Sequence, residues 1–264
     1  CGGAPSQQTP QWSPPGRFEE YEIISPLSHG AMGDVYLGRD TLLDREVAIK
    51  FIREVQPNTE MRERFLIEAR AAARLQHPNV VSIYRVGLLE DRPYIVSEYV
   101  KGQGLDSLEL PMPWQSALEF GIGLCRGLGA AHRCGVLHRD LKPSNTIISS
   151  SGEVKLLDFG LAKFIDMGTE RGQSPPPLAN ASAPAPRSTD DVGPDGSPYV
   201  NTHGESSVQG TPYYMAPEVW LGEPSTRQSD VYSMGVLLFE LCVGVPPHYS
   251  PNGTLVELRF AACT

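Results

Sequence analysis

Backbone amides that close over a phosphate need residues with no Cβ in the way, and Leu27-Ser28-His29-Gly30-Ala31-Met32-Gly33-Asp34-Val35 supplies two glycines for that purpose. An ordinary hairpin turn would carry the same residues. A dinucleotide-binding fingerprint is excluded, because these glycines lead into a strand-like run, Val35-Tyr36-Leu37-Gly38, where that fold needs a helix N-terminus. The alternation of Val47-Ala48-Ile49-Lys50 puts Ala48 and Lys50 on one strand face. Ala48 is small enough to admit a flat base, and Lys50 is a cation that can reach phosphates; a solvated surface lysine is the plainer alternative. An inward lysine is costly unless paired, and Glu68, in the helical run 59–75, is the acid best placed to pair with it.

The strongest local signal is Val136-Leu137-His138-Arg139-Asp140-Leu141-Lys142-Pro143-Ser144-Asn145, followed closely by Leu156-Leu157-Asp158-Phe159-Gly160. These runs resemble the catalytic loop and the DFG turn of protein kinases, and Val47 to Lys50 resembles that family's VAIK strand. Gly210-Thr211-Pro212-Tyr213-Tyr214-Met215-Ala216-Pro217-Glu218 is similar to its APE segment, and Ser229-Asp230-Val231-Tyr232-Ser233-Met234-Gly235 to the start of its central helix. The five stand in the family's order.

The resemblance implies an α+β, two-lobed fold, with a small β-rich N-lobe over about 18–100 and a mainly helical C-lobe over about 101–264. It also implies a transfer of the γ-phosphoryl of ATP to a hydroxyl, a reaction that asks for positioning and charge neutralisation more than covalent work by the protein. Asp140 would orient and accept the proton of the acceptor hydroxyl, and Lys142 would stabilise the transferring phosphoryl. Asn145 and Asp158 would supply the hard oxygen ligands that Mg2+ (or Mn2+) prefers. ATP would lie against Leu27, Ser28, Gly30, Gly33, Val35, Ala48, Lys50 and Ile147, with backbone groups of Glu98 and Val100 on the adenine. Ser97 would be the gatekeeper, small enough to leave a roomy back pocket. Phe159 and Gly160 complete the turn at Asp158, and Asp230 and Glu218 would be structural. Arg139 would pair with a phosphorylated residue of the activation segment, for which Thr202, Ser206, Ser207 and Thr211 are candidates. Asp140-Leu141-Lys142-Pro143 and Gly210-Thr211 match the serine/threonine kinases, and Gly30 to Asp40 resembles the bacterial, eukaryotic-like kind.

Three departures stand out. Ser28 holds a place where the family usually has glycine. Only seventeen residues follow Gly244-Val245-Pro246-Pro247, so the family's last C-lobe helices, and the arginine that pairs with Glu218, are expected to lie outside a C-terminally truncated chain. The stretch from Asp158 to Glu218 carries a Pro- and Ser-rich insert over about 166–208, expected to be disordered.

The elements that must position these residues can be read from periodicity. Strands are expected at 21–24, 35–38, 46–51, 80–88 and 94–99, with a helix at 59–75 whose Met61, Phe65, Ala69, Ala72 and Leu75 share a face. A helix over 114–133 places Leu118, Ile122, Cys125, Leu128 and His132 at helical spacing, and 229–243 is apolar enough for a central buried helix. Residues 1–17, rich in Pro, Gln, Ser and Gly, are expected to form a flexible tail, with folding from Phe18.

Composition narrows the rest. In 264 residues, 40% hydrophobic content can furnish a core, and a net charge of −9 leaves no cation excess for a nucleic-acid backbone. The five cysteines show no CxxC spacing, which argues against a zinc site or a disulfide framework and suits a reducing cytoplasm. No run reaches the roughly 18 apolar residues of a membrane span. Expected partners are ATP and protein substrates with Ser or Thr acceptors, together with a second copy for trans-autophosphorylation. The competing readings are a pseudokinase or scaffold that binds nucleotide or partners without turnover, and a small-molecule kinase.

Overall fold

A strand with alternating apolar residues buries one face and offers the other. Val47, Ile49 and Phe51 are buried, while Ala48 and Lys50 between them are half-buried on the opposite face. The computed structural model describes residues 12–30, 33–52, 59–159 and 211–264, with the side chains of 59–65 and Thr211 outside that description. The expectations for the loop tip at Ala31 and Met32, for Met61 and Phe65, for Gly160, for the insert 166–208 and for Thr202, Ser206 and Ser207 lie outside the described residues.

In the N-terminal half, β1 (Arg17–Phe18), β2 (Tyr21–Gly30), β3 (Gly33–Asp40), β4 (Arg45–Ile52), β5 (Ile83–Leu89) and β6 (Arg92–Glu98) form one antiparallel sheet in the order β1-β2-β3-β4-β6-β5. Its core joins Phe18, Tyr21, Val47, Ile49, Phe51, Tyr94 and Val96. Trp12 packs edge-on against Phe51 with ring centroids 5.2 Å apart, under the guanidinium of Arg92. Packed structure therefore begins inside the expected tail, because one tryptophan supplies the apolar area that its Pro-rich neighbours lack. Helix α1 (Thr59–Ala73) lies beside β5 and buries Ala69 and Ala72.

The C-terminal half is built on α2 (Trp114–Arg133) and α4 (Arg227–Val243), with the short α3 (Pro217–Trp220), a final α5 (Leu255–Cys263) and a small sheet of β7 (Gly102–Gly104), β8 (Thr146–Ser149) and β9 (Val154–Leu156). Thr226 caps α4 through a reciprocal bond with Ser229, and Gly244 ends it in the left-handed region at φ 94°. Helix α2 has its expected bounds, and of the residues noted at helical spacing only Leu128 is fully buried. Leu118, Ile122 and Cys125 are exposed, and the buried stripe is Ala117, Gly121, Leu124, Leu128 and Ala131. Small residues were chosen there because the chain segment 77–82 and α4 come close. Asn79 Nδ2 donates to the Val154 carbonyl at 2.8 Å, Leu156 N to the Asn79 carbonyl at 3.0 Å and Val81 N to the Leu156 carbonyl at 2.9 Å.

A Cβ at Gly127 would stand 2.6 Å from the Asn79 carbonyl oxygen. Gly127→Val should therefore push this segment off α2 and lower stability by about 1–3 kcal/mol, measured as a fall in the urea midpoint. A variant as stable as the parent would show that the close approach is not a structural requirement.

Candidate active site

The site is assembled from a buried carboxylate outward. Asp230, in the first turn of α4, is 1% exposed and accepts from the backbone amides of His138 at 2.9 Å and Arg139 at 2.8 Å, with His132 Nε2 2.8 Å away. Ligated by three groups, it holds a loop in which Arg139 takes the left-handed region at φ 67°, a conformation that a non-glycine residue keeps only when its surroundings impose it. His138 is fully buried and packs against Phe159, with ring centroids 4.8 Å apart and the planes tilted by 53°. Burial pushes its imidazole below the ordinary value, against opposing pulls from Asp230, Asp140 and Asp158.

The loop then turns through a 3-10 segment, Pro143–Asn145, and two side chains, those of Lys142 and Asn145, fold onto Asp140. Lys142 Nζ lies 2.8 Å from Asp140 Oδ2, and Asn145 Nδ2 donates to the same oxygen at 2.8 Å and to the Asp140 carbonyl at 2.7 Å. The amide nitrogen of Asn145 is thus spent inside the loop, which leaves its side-chain oxygen as the end free to act as a ligand. Leu157 N donates to the Asn145 carbonyl at 2.9 Å, tying Asp158 to the same loop. Asp158 is also in the left-handed region, at φ 55°. Asn145 and Asp158 together offer oxygen donors of the type a hard divalent cation takes, so the residues fit magnesium.

Across the cleft, the strand register lines up two rows of residues on the face opposite the N-lobe core. Val35, Lys50 and Ile95 stand opposite one another, as do Leu37, Ala48 and Ser97. Ser28 pairs with Val35 on the outer strand, where Leu27 and Ser28 are exposed. Gly33 is required by a close approach, since a Cβ there would meet the Phe51 carbonyl oxygen at 2.1 Å. Beside Lys50 and Ser97 lies a small cavity of about 40 Å³, lined also by Ile83, Ile95, Asp158 and Phe159 among others. Ile147 lies on β8 and Val100 follows β6, both half-buried.

Two pairings differ from expectation. Lys50 Nζ lies 2.6 Å from Asp158 Oδ2, while Glu68 accepts from Arg139 at 2.8 Å. A cation and a carboxylate select each other by proximity, and here the nearest acid to Lys50 is on the facing lobe. Glu218 is not an isolated carboxylate either, because Ser229 Oγ donates to it at 2.5 Å. Thr211 opens the 3-10 turn Thr211–Tyr214 that leads to α3. Beside Asp140 a second cavity of about 50 Å³ is lined by Arg139, Asp140, Tyr214, Met215 and Ser233 among others.

Several participants had no marker in the sequence. His132 reads as one more position on a helix face, and nothing in Tyr214 or Glu240 announces that their side chains hydrogen-bond each other beside that second cavity. Burial pushes both Tyr214 and Glu240 above their ordinary values. Among the described residues, no group of three or more His, Cys, Asp and Glu side chains could hold a metal ion, and no helix is long and apolar enough to cross a membrane.

The chain matches the protein kinase domain family over residues 21–261. It is 36% identical to the serine/threonine-protein kinase PknD of Protochlamydia amoebophila, covering 98% of this chain and 26% of that protein. It is 35% identical to PknB of Mycobacterium leprae, over 89% of this chain and 34% of that protein, and 33% identical to PrkC of Bacillus subtilis, over 90% and 33%. The chain therefore spans about a third or less of the length of these curated relatives.

The state of His138 sets a pH dependence. Its folded value lies below the unfolded one, so the unfolded chain takes up a proton first. Its contribution to stability is present above about pH 6.5 and is lost as pH falls from there towards the folded value. Chemical denaturation should show stability falling below about pH 6.5, with a shallower fall in His138→Phe. Parallel profiles for the two proteins would contradict this.

Proposed function

The chain belongs to the protein kinase domain family, and from that premise we propose that it transfers the γ-phosphoryl of ATP to Ser or Thr hydroxyls of protein substrates. The observation that carries this reading is Asp140, held by Lys142 and Asn145 beside Asp158, with Lys50 reaching Asp158 from the facing strand β4. The adenine is proposed to lie between Ala48 and Ile147 and to meet backbone groups of Glu98 and Val100, with the glycine hairpin over the phosphates.

In the reaction, the acceptor hydroxyl oxygen forms its bond to the γ-phosphorus as the bond from that phosphorus to the ADP oxygen breaks. The hydroxyl proton passes to the Asp140 carboxylate, and the bridging electron pair leaves with ADP. Lys142, already beside Asp140, offsets charge on the transferring group. Magnesium held by Asn145 and Asp158 would neutralise phosphate charge when bound.

Lys50 serves the phosphates only if Asp158 is released to the metal, and its expected partner for that task is Glu68. Transfer therefore calls for the two ion pairs to exchange: Lys50 from Asp158 to Glu68, and Arg139 from Glu68 to another anion. A phosphate on the activation segment, at Thr202, Ser206, Ser207 or Thr211, is proposed as that anion, which would make autophosphorylation between two copies activating. Relatives named as serine/threonine kinases support the acceptor type. A role in cytoplasmic signalling is proposed on the same ground. A scaffold without turnover gains no support from a site in which Lys50, Asp140, Asn145 and Asp158 are all present and linked.

Incubation with labelled ATP, magnesium and a generic protein substrate tests the proposal. Label should appear on Ser or Thr, and Asp140→Asn should lower the rate by about 10²-fold or more. Transfer that survives in the Asn variant would remove Asp140 from its role.

A further inference from the structure

Behind the cleft, on the side away from Ala48 and Lys50, Glu98 is tied at three points. Lys155 Nζ donates to Glu98 Oε1 at 2.6 Å, Ser82 N to Oε2 at 3.3 Å, and Glu98 N to the Ser82 carbonyl at 2.8 Å. These residues come from different parts of the fold. Glu98 ends β6 of the large sheet, and Ser82 belongs to the segment that runs between the two halves. Lys155 lies in the middle of β9, opposite Ile147 and three residues before Asp158.

The pair is well shielded, with side-chain exposures of 13% for Lys155 and 26% for Glu98. The other ion pair at this junction, Lys101 with Glu46, is 68% and 42% exposed and is of the kind that contributes little. Swinging the large sheet away from the small one about residues 99–101 would separate Lys155 from Glu98 while both are partly out of water. It would leave a carboxylate with one amide donor where it had an amide and an ammonium. That cost opposes opening of the cleft and falls on the residue whose backbone is proposed to meet adenine.

We propose that Lys155 and Glu98 form an ion-pair clamp across the hinge that slows nucleotide release, with Lys155 a positioning residue that acts through Glu98. The clamp rests on the nucleotide-binding reading above, but its geometry can be tested apart from it.

The release of a fluorescent ADP in the presence of magnesium, followed by stopped flow on the full chain, reads the effect. Lys155→Met should release nucleotide about five-fold faster, the factor that roughly 1 kcal/mol sets, and Lys155→Arg should restore the parent rate. If the Met variant does not fold, Glu98→Gln with Lys155→Met removes both charges and should show the same acceleration. Amide hydrogen exchange of 98–101 without nucleotide should also be faster in the Met variant. Release or exchange that stays at the parent level in the Met variant, or a slow-down lost in the Arg variant, overturns the clamp. A parent chain that binds no nucleotide overturns the nucleotide reading, and the hydrogen exchange then decides the clamp alone.

Discussion

One buried carboxylate sets the geometry of the whole site. Asp230 has no water to solvate it, so its charge is tolerable only while the amides of His138 and Arg139 and the ring of His132 surround it. That requirement pins the loop to α4 and holds Arg139 in a left-handed conformation. Three of the candidate groups follow within six residues, as Asp140 emerges from the pinned segment and Lys142 and Asn145 fold back on it, and the Asn145 carbonyl then receives Leu157 next to Asp158. The capping of α4 by Thr226 and Ser229 lies one residue from Asp230, so the helix start and the catalytic loop are fixed together.

The cleft is also defined by where its cations are. Lys50 reaches across to Asp158 and Arg139 reaches up to Glu68, so each lobe lends a charge to the other. Such pairs are held by position, and either cation can change partner when a better-placed anion arrives. The described wiring differs from the one the proposed reaction uses, in which Lys50 turns to Glu68 while Asp158 and Arg139 take partners from outside these four residues. The clamp between Lys155 and Glu98 adds a third charge link between the halves, on the far side of the hinge from the reacting atoms.

Much of this was legible in the sequence, for identifiable reasons. The alternation of Val47 to Phe51 and the helical runs around α1, α2 and α4 gave elements near their observed bounds, because each has one face to bury. The candidate groups Asp140, Lys142, Asn145 and Asp158 stood out because the phosphoryl transfer proposed here demands particular groups at fixed spacing, and the structure places them next to one another. Pairings were less legible. Lys50 with Glu68 is a sound guess from local order, but the choice between Glu68 and Asp158 depends on how α1 sits, which no short-range pattern encodes. The buried face of α2 was not legible because Gly and Ala carry little hydrophobic signal, yet close approach to Asn79 and α4 needs them. Strands β8 and β9 escaped notice because they are short, and Trp12 because its neighbours look unstructured.

If Asp230 organises the catalytic loop, its charge should matter to turnover and much less to nucleotide binding, since Ala48, Lys50 and the hinge lie on other elements. The direct measurement is kcat and the ATP affinity of Asp230→Asn, in a protein that still melts cooperatively. The account predicts a fall in kcat of about 10²-fold, the scale of a misplaced catalytic group, with ATP affinity within about two-fold of the parent. An Asn variant that keeps its kcat would contradict it.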